Sequence, residues 1–313
     1  MDVRLLRYFL AVAEEGSFGG AARRTGVSQP AVSHGVRLLE EELGARLFDR
    51  DARSVVLTAD GILLLDPARR LVAEFAALPG LLDRARGRVR GRLEIGTTDV
   101  ASIYVLPRVY RTYRRRHPEV ELSVRVEGTA SLLRQLGEGS IELAVITCQA
   151  GEKTVGSLGE GFVVEPLYRE ELEFFVSRRH RLAGRRQVTP REMANVPLIT
   201  FKRDSITRQA VDQAFRREGL TPRVAMEISS PEAIKKLVEV GLGAGVLPLQ
   251  SLRADFRGGP LVPVSVRGVK LSRLLGVARA RGRTLTPAAE AFLELSEKIR
   301  NVPASVQASG RTG

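Results

Sequence analysis

Between Ser17 and Gly61 the apolar and polar positions change rhythm repeatedly. Two short helical patterns flank a tight Thr25-Gly26-Val27-Ser28 turn, a basic hairpin pattern follows, and a longer helical pattern begins. In the second helix Val32, Val36, Leu39 and Leu43 recur at spacings of four, three and four, which predicts one buried face. Gly26 suits the positive backbone angle that ends a helix. Ser28 is expected to cap the next helix by accepting a backbone N–H bond. Pro30 falls in the first turn, where its missing donor costs nothing. Gln29, Ser33 and Arg37 recur at i, i+4 and i+8 on a different, polar face, with His34 beside them.

The segment Arg46–Thr58 predicts a hairpin. Leu47-Phe48 and Val55-Val56-Leu57 are the strands, and the loop Arg50-Asp51-Ala52-Arg53 carries two arginines. On shape alone such a loop is equally a solvated surface hairpin or a wing that follows a sugar-phosphate backbone and reaches the minor groove. A polar helix face is ordinarily only a solvated surface. The preceding capped turn and the following hairpin favour another reading, a winged helix-turn-helix that sets one helix in the major groove. There Gln can grip adenine with two bonds, Ser can bond several base edges, and Arg can reach guanine or phosphate.

After Thr58, a potential helix cap, Leu64, Ala68, Leu71, Phe75, Leu78 and Leu82 recur at alternating spacings of four and three. That heptad seam predicts either a dimerising coiled coil or an amphipathic helix packed on its own domain. Pairing is favoured by its position between two domains and by the paired half-sites that such proteins read. Pro67 predicts a bend and Pro79-Gly80 a break. The basic, Gly-punctuated stretch Arg84–Arg92 reads as a hinge. Beyond it strands and helices alternate: a strand at Leu93–Gly96, a helix at Ile103–Arg116, strands at Glu121–Glu127 and Leu143–Ile146, and so on to a helix at Pro287–Ile299. Such alternation predicts a parallel α/β sheet. Cleft residues follow from strand ends, because open α/β sheets bind ligands there. Thr97, Thr98, Ser102, Gly128, Thr129, Thr147, Thr200 and Phe201 are the candidates, each with the plain alternative of being a helix cap. Hydroxyls and helix N-terminal amides suit a small anion. Lys202, Arg203 and Arg208 lie near enough in sequence to add charge.

Composition narrows the classes. The 313 residues predict two or three domains, and 43% apolar content allows full cores. No apolar run approaches the ~20 residues of a membrane span. Met1-Asp2-Val3-Arg4 lacks the pattern of a secretory signal, so a cytoplasmic protein is expected. The single cysteine, Cys148, excludes an internal disulfide and has no resolving partner in the chain. With three histidines and no Cys/His cluster, neither a metal nor a cofactor is expected. The net charge of +13 is misleading, since residues 1–60 hold eight Arg against nine Asp/Glu, a net of −1. DNA reading must therefore rest on where individual side chains point. Runs such as Arg111–Arg116 and Arg178–Arg181 read as solvated faces, with attraction of an anionic effector or steering towards DNA as the alternative. Gly241–Gly245 lacks the ending of a P-loop and reads as a helix-to-strand turn.

The string Ser28-Gln29-Pro30-Ala31-Val32-Ser33, followed by Leu39-Glu40, Leu43-Gly44, Leu47-Phe48-x-Arg50, Arg53 and Leu57-Thr58-x-x-Gly61, closely resembles the LysR-type transcriptional regulators. Further matches are Leu93-x-Ile-Gly96, Leu106-Pro107, His117-Pro118-x-Val120, Gly139-x-x-x-Leu143-Ala144-Val145 and Gly241-x-Gly243-x-Gly245-x-x-Pro248. The resemblance covers roughly residues 2–300. It implies double-stranded operator DNA as a partner, contacted by Gln29, Pro30, Ser33, His34 and Arg53, to which the residue pattern adds Ser28, Arg37 and Arg50. It also implies a dimer through the linker helix, a tetramer built from dimers, and a C-terminal effector domain similar to periplasmic solute-binding proteins. Gly35 departs from a longer polar residue, often Gln, and is expected to remove a DNA contact. Ala52 replaces a common Gly.

The expected organisation is a winged helix-turn-helix over 1–58, a linker helix over 59–86, a hinge over 87–91, a two-lobed α/β domain over 92–300 and a disordered tail over 301–313. Lobe I spans about 92–161 and 271–300, and lobe II about 162–270, with crossovers near Gly161–Tyr168 and Val266–Leu271. The expected function is a DNA-binding transcriptional regulator modulated by a small, anionic effector, without catalytic residues. The alternatives are a cytoplasmic solute-binding protein or α/β enzyme, or a regulator that binds no ligand.

Overall fold

The computed structural model describes residues 2–49, 55–85, 88–149 and 161–298. Helices α1 (Val3–Glu15), α2 (Phe18–Thr25) and α3 (Gln29–Leu43) enclose the N-terminal core. Leu6, Phe9, Val12, Ala21, Val36 and Leu39 are buried there, and the Phe9 and Phe48 rings lie 5.4 Å apart. Small Ala21 and Ala22 let α2 approach its neighbours. Gly26 ends α2 at φ +70°, as the turn requires. Strands β1 (Phe48–Asp49) and β2 (Val56–Leu57) pair antiparallel, Phe48 opposite Leu57. The hairpin is thus present, and its tip, with Arg50 and Arg53, lies outside the described residues. So does the tail from 301.

Several local expectations are corrected. Ser28 occupies the N-cap position of α3 without a side-chain cap bond. Leu43 is 41% exposed rather than buried, because α3 outruns the core at its C-terminal turn. Helix α4 (Ala59–Ala85) runs unbroken through Pro67 and Pro79. Each proline removes the bond to the carbonyl four residues earlier, here on Leu63 and Phe75, which are 77% and 50% exposed. Both prolines therefore interrupt the ladder on the solvent-facing side of the helix, away from the core. Thr58 does cap α4, its Oγ1 accepting from Gly61 N at 3.1 Å. The heptad seam divides: Ala68 is buried in the N-terminal core, whereas Leu71, Phe75 and Leu78 are exposed.

The C-terminal part is built on β3 (Gly91–Thr97), α5 (Asp99–Tyr104), α6 (Pro107–Arg116), β4 (Val120–Val126), α7 (Thr129–Glu138) and β5 (Leu143–Gln149). Next come β6 (Phe162–Ser177), α8 (Pro190–Ala194), β7 (Leu198–Thr200), α9 (Ile206–Arg217), β8 (Val224–Glu227) and α10 (Pro231–Glu239). The chain ends with β9 (Ala244–Pro248), α11 (Leu249–Phe256), β10 (Leu261–Val264), β11 (Leu271–Ala280) and α12 (Pro287–Glu297). The predicted helix at Ile103–Arg116 is two helices, since Pro107 restricts its predecessor and starts α6. The short elements α8, α11 and β10 carry too little periodicity to be read from the sequence.

The sheet is mixed rather than parallel. Its order is β4-β3-β5-β11-β6-β9-β7-β8, with β10 beside β6. Pairing is parallel among β4, β3 and β5 and among β8, β7 and β9. The long strands β6 and β11 are antiparallel to every neighbour, because they carry the chain out of one half-sheet and back. Strand β11 pairs β5 over 273–278, and β6 leaves β11 to pair β9 from Leu172 onward. The first crossover thus falls at Arg169–Leu172, a few residues beyond the expected Gly161–Tyr168. One large core lies around Tyr113 and Phe292, and another around Phe174 and Phe215.

Candidate functional site

The α3 surface divides cleanly. Val32, Val36 and Leu39 are fully buried. Gln29, Pro30, His34 and Arg37 are exposed on the opposite side together with Ser28, and Ser33 is half-buried. Ser28 is exposed, and its hydroxyl makes no cap bond to the helix. Glu40, on the inner edge of α3, accepts from Leu47 N (2.8 Å) and Phe48 N (3.3 Å), so one carboxylate ties the helix to the hairpin. Gly61 ties the hairpin to α4: a Cβ there would lie 2.2 Å from the Leu47 carbonyl oxygen. This polar face, with a hairpin held at a fixed distance from it, has a layout that suits a groove and its flanking backbone.

Gly35 is not a vacated contact on that surface. It is buried against α1, where a Cβ would sit 2.5 Å from Cδ2 of Tyr8 and 3.4 Å from Leu5. Its missing side chain is the space that the Tyr8 ring fills. Gly35→Ala should gain about 1 kcal/mol of helix propensity and lose as much to the displaced ring. With Tyr8→Ala already present, the same change should stabilise by about 1 kcal/mol. Thermal unfolding of the four proteins checks this, and equal gains in both backgrounds would show that Tyr8 does not press on Gly35.

A cavity of about 310 Å³ lies between the two half-sheets. Of the sequence candidates, Thr98, Gly128, Thr129, Thr147 and Phe201 line it. Thr97, Ser102 and Thr200 do not. Thr97 and Thr200, the last residues of β3 and β7, are fully buried, and Ser102 lies beside Tyr110. Arg208 is used elsewhere: its guanidinium bonds Asp212 (2.9 Å) and Glu227 (2.8 Å). Arg203 is exposed near Glu227. Lys202 does line the cavity.

The N-terminal turns of α7 and α9 both reach the cavity, through Gly128–Ser131 and Ser205–Ile206, and neither helix has a side-chain cap. Their first amides are therefore available to a ligand.

The residue that sequence reasoning missed is Arg273, at the start of β11. It is 4% exposed and still lines the cavity. Its Nε donates to Glu170 Oε2 at 2.6 Å and its Nη1 to Thr207 Oγ1 at 2.7 Å. Among the described residues its buried Nη2 has no hydrogen-bond partner, and neither has the Thr98 hydroxyl. An arginine near the start of a strand gives no sequence signal, since only the fold shows which strand passes between lobes. Acids also line the cavity. Glu127 and Asp204 are exposed, and Ser131 donates to Glu127, which holds that carboxyl below its usual range. Asp99 is pushed upward by burial. The deepest fixed charge is thus the Arg273 cation, where low polarity makes it count most.

Cys148 is 1% exposed, and burial raises its thiol to about 11, which keeps it protonated and unreactive. Among the described residues no cluster of His, Cys, Asp and Glu has metal-binding geometry, and no helix is long and apolar enough to cross a membrane.

Residues 3–62 match the family model for the bacterial regulatory helix-turn-helix protein of the lysR family, and residues 86–299 match the LysR substrate binding domain. The chain is 32% identical over 302 residues to the RuBisCO operon transcriptional regulator of Allochromatium vinosum, covering 96% of this chain and 97% of that protein. It is 30% identical to a probable RuBisCO transcriptional regulator of Trichormus variabilis, covering 92% of this chain and 85% of the relative. Among solved structures it resembles full-length OxyR of Pseudomonas aeruginosa, with a TM-score of 0.72 at 24% identity, over 96% of this chain and 95% of that one. It also resembles full-length CbnR complexed with its target DNA, with a TM-score of 0.66 at 23% identity, over 96% of this chain and all of the other. The two motif-bearing halves, the polar helix face beside its hairpin and the cavity between half-sheets, therefore have one joint explanation: this chain belongs to the LysR family, DNA-binding transcriptional regulators that carry an effector-binding domain.

Proposed function

We propose that the chain reads operator half-sites with Ser28, Gln29, Pro30, Ser33, His34 and Arg37 of the α3 region and with the hairpin arginines Arg50 and Arg53, and that it senses a small anion in the cleft. The reading of α3 is supported by the exposure of this polar set opposite a buried apolar face. The anionic character rests on one observation above all: Arg273 lines the cavity, and its buried Nη2 has no partner among the described residues. An unpaired buried guanidinium nitrogen costs free energy that an anionic oxygen would recover. The Thr98 hydroxyl and the α7 and α9 amides complete a donor set for a carboxylate, sulfate or phosphate ester. Exposed Glu127 and Asp204 suit hydroxyl groups on the same ligand.

Homodimerisation is supported by the seam of Leu71, Phe75 and Leu78, an apolar stripe on α4 left open to solvent. The dimer places two helix-turn-helix units on paired half-sites, in the cytoplasm where the DNA lies. Ligand binding then draws the lobes together about β6 and β11 and alters how dimers associate on DNA. The names of the relatives make DNA upstream of RuBisCO genes the first operator to test.

Gln29→Ala or Ser33→Ala should each weaken specific binding by about 1–3 kcal/mol per lost base contact while leaving non-specific binding intact. Footprinting with and without competitor DNA measures this, and unchanged footprints in both variants would remove α3 from the reading role. For the cleft, Gly128 offers a probe. Its backbone is extended and a Cβ there meets open space. Gly128→Trp should fill the cavity without strain. Stabilisation of the full-length protein by methylphosphonate should disappear in this variant, and its persistence would refute the cleft as the anion site.

A further inference from the structure

Arg69 of the linker helix α4 touches three parts of the chain at once. Its Nη1 lies 2.9 Å from Oε1 of Glu138, the last residue of α7 in lobe I, and 3.7 Å from Asp66 on α4 itself. Its Nη2 lies 3.8 Å from Glu14 of α1, in the DNA-binding unit. Glu14 in turn pairs with Arg24 of α2 at 2.5 Å. An ionic chain thus runs from α2 through α1 and α4 to α7. The Arg69 and Glu138 side chains are 21% and 17% exposed, so salt screens this pair less than fully solvated ones. The other cations at this end of α7 are Arg134, 3.9 Å from Glu138 and itself 69% exposed, and Arg283 beside Gly139. Without Arg69, the carboxylates of Glu14, Asp66 and Glu138 would face one another across the boundary between the two units, and like charges repel.

A second contact lies three turns further along the same face of α4. A Cβ at Gly80 would lie 3.3 Å from Pro287 Cδ and 3.7 Å from Thr286 Cβ, at the start of α12. The linker helix is therefore seated on its own lobe I at two points. Helical spacing puts this face on the side of α4 away from the open seam of Leu71, Phe75 and Leu78. Helix α7 connects the seat to the cleft. Its first turn lines the cavity through Thr129–Ser131, and Glu138 ends it. Between them Leu132 and Leu136 are fully buried, and a Cβ on Gly96 of β3 would lie 2.5 Å from Leu132 Cδ2. Packed this closely on the sheet, the helix moves as one body, so its two ends move together.

We infer that the Arg69–Glu138 pair is an interdomain clasp: it fixes the DNA-binding unit at one angle to lobe I, and a ligand that draws the first turn of α7 into the cleft works against it. A displacement of α7 by about 1 Å takes the 2.9 Å contact out of hydrogen-bonding range. Coupling of this kind is reciprocal. Filling the cleft weakens the clasp, and loss of the clasp tightens the cleft on its ligand. The coupling rests on the reading of the cleft as an anion site; the clasp itself does not.

The test uses full-length protein carrying Gly80→Cys and Thr286→Cys, which leaves the clasp residues in place. The two Cβ positions, 3.7 Å apart, suit a disulfide. Cys148, the remaining thiol, is 1% exposed. Mild oxidation should give a disulfide within one chain, seen as a shift of the monomer band on a non-reducing gel. Adding Arg69→Glu, which sets four carboxylates together, should slow its formation about tenfold, and adding Glu138→Arg as well should restore most of the rate. In the parent sequence, Arg69→Gln should bind methylphosphonate about threefold more tightly by calorimetric titration, although residue 69 lies outside the cleft. A disulfide between chains, or none, in protein of native circular dichroism would overturn the clasp, and so would a rate unmoved by the charge at position 69. Methylphosphonate binding of equal strength with and without Arg69 would overturn the coupling. Failure of the cleft reading is distinguishable: methylphosphonate would then bind neither protein, while the disulfide rate would still follow the charges at 69 and 138.

Discussion

Replacing Glu170 by Leu is expected to destabilise the effector domain by about 3–5 kcal/mol, the largest effect of any single change considered. Glu170 and Arg273 are 3% and 4% exposed, and their 2.6 Å contact is the most buried ion pair among the described residues. Removing the carboxylate leaves a guanidinium in a dry site, held by Thr207 alone. The desolvation cost of that cation is then uncompensated. Removing both charges is a different experiment. Glu170→Leu with Arg273→Met should recover most of the loss, since a buried pair replaced by apolar groups of similar size is often neutral. Urea unfolding followed by circular dichroism reads both variants through the midpoint of the effector-domain transition. A Glu170→Leu protein as stable as the parent would show that water reaches Arg273. The double variant should also lose anion binding in the cleft despite its restored stability, which separates the binding role of Arg273 from its place in the fold.

The second large effect is expected at Gly61. Its φ is unremarkable, so freedom of the backbone is not what the position uses. What matters is space: a Cβ would lie 2.2 Å from the Leu47 carbonyl oxygen and 2.9 Å from Leu57 Cδ2. Leu47 O already accepts from Thr58 N at 3.0 Å, so the first turn of α4 and both hairpin strands meet at this point. Gly61→Val must separate them, at a cost of about 3 kcal/mol, because the obstacle is backbone and cannot rotate away. The Thr58 cap would be lost with it, adding about 1 kcal/mol. Stability and DNA affinity should fall together, because the hairpin would no longer stand at its distance from α3. A filter-binding titration alongside thermal unfolding measures both. Wild-type affinity in a destabilised protein would mean that hairpin placement does not matter for binding.

The Glu40–Leu47, Thr58 and Gly61 contacts give physical content to the motif that made the N-terminal part recognisable. Leu39 is core, Glu40 bonds the hairpin amides, Thr58 caps α4, and Gly61 permits its approach. These constraints are local in sequence, spanning about one hairpin, so they leave a dense pattern there. The α3 face was legible for the same reason: helical spacing alone separates Val32, Val36 and Leu39 from Gln29, Ser33 and Arg37. Gly35 was misread because its spacing does not reveal that Tyr8, from another helix, occupies the space beside it.

The effector half was legible only in part. Alternation gave the strands and most helices, and hydroxyls at strand ends found Thr98, Thr129 and Thr147. Thr200, of the same type in an equivalent place, proved to be fully buried at the end of its strand. Strand-end position predicts proximity to a cleft, whereas exposure depends on what the next element covers. Parallel pairing was correct within each half-sheet and wrong for the whole, because β6 and β11 belong to both.

The sequence by itself determined most of the elements, the inward face of α3 short of its last turn, and the family. Those follow from periodicity and capping, which act within a few residues. Only the tertiary structure decided that Arg273 faces the cleft, that Glu170 holds it there, and that Glu14, Arg69 and Glu138, distant in sequence, meet at one point. Charge and hydrogen bonding act through space, so the residues that meet a ligand are assembled by the crossover of two strands rather than by their order along the chain.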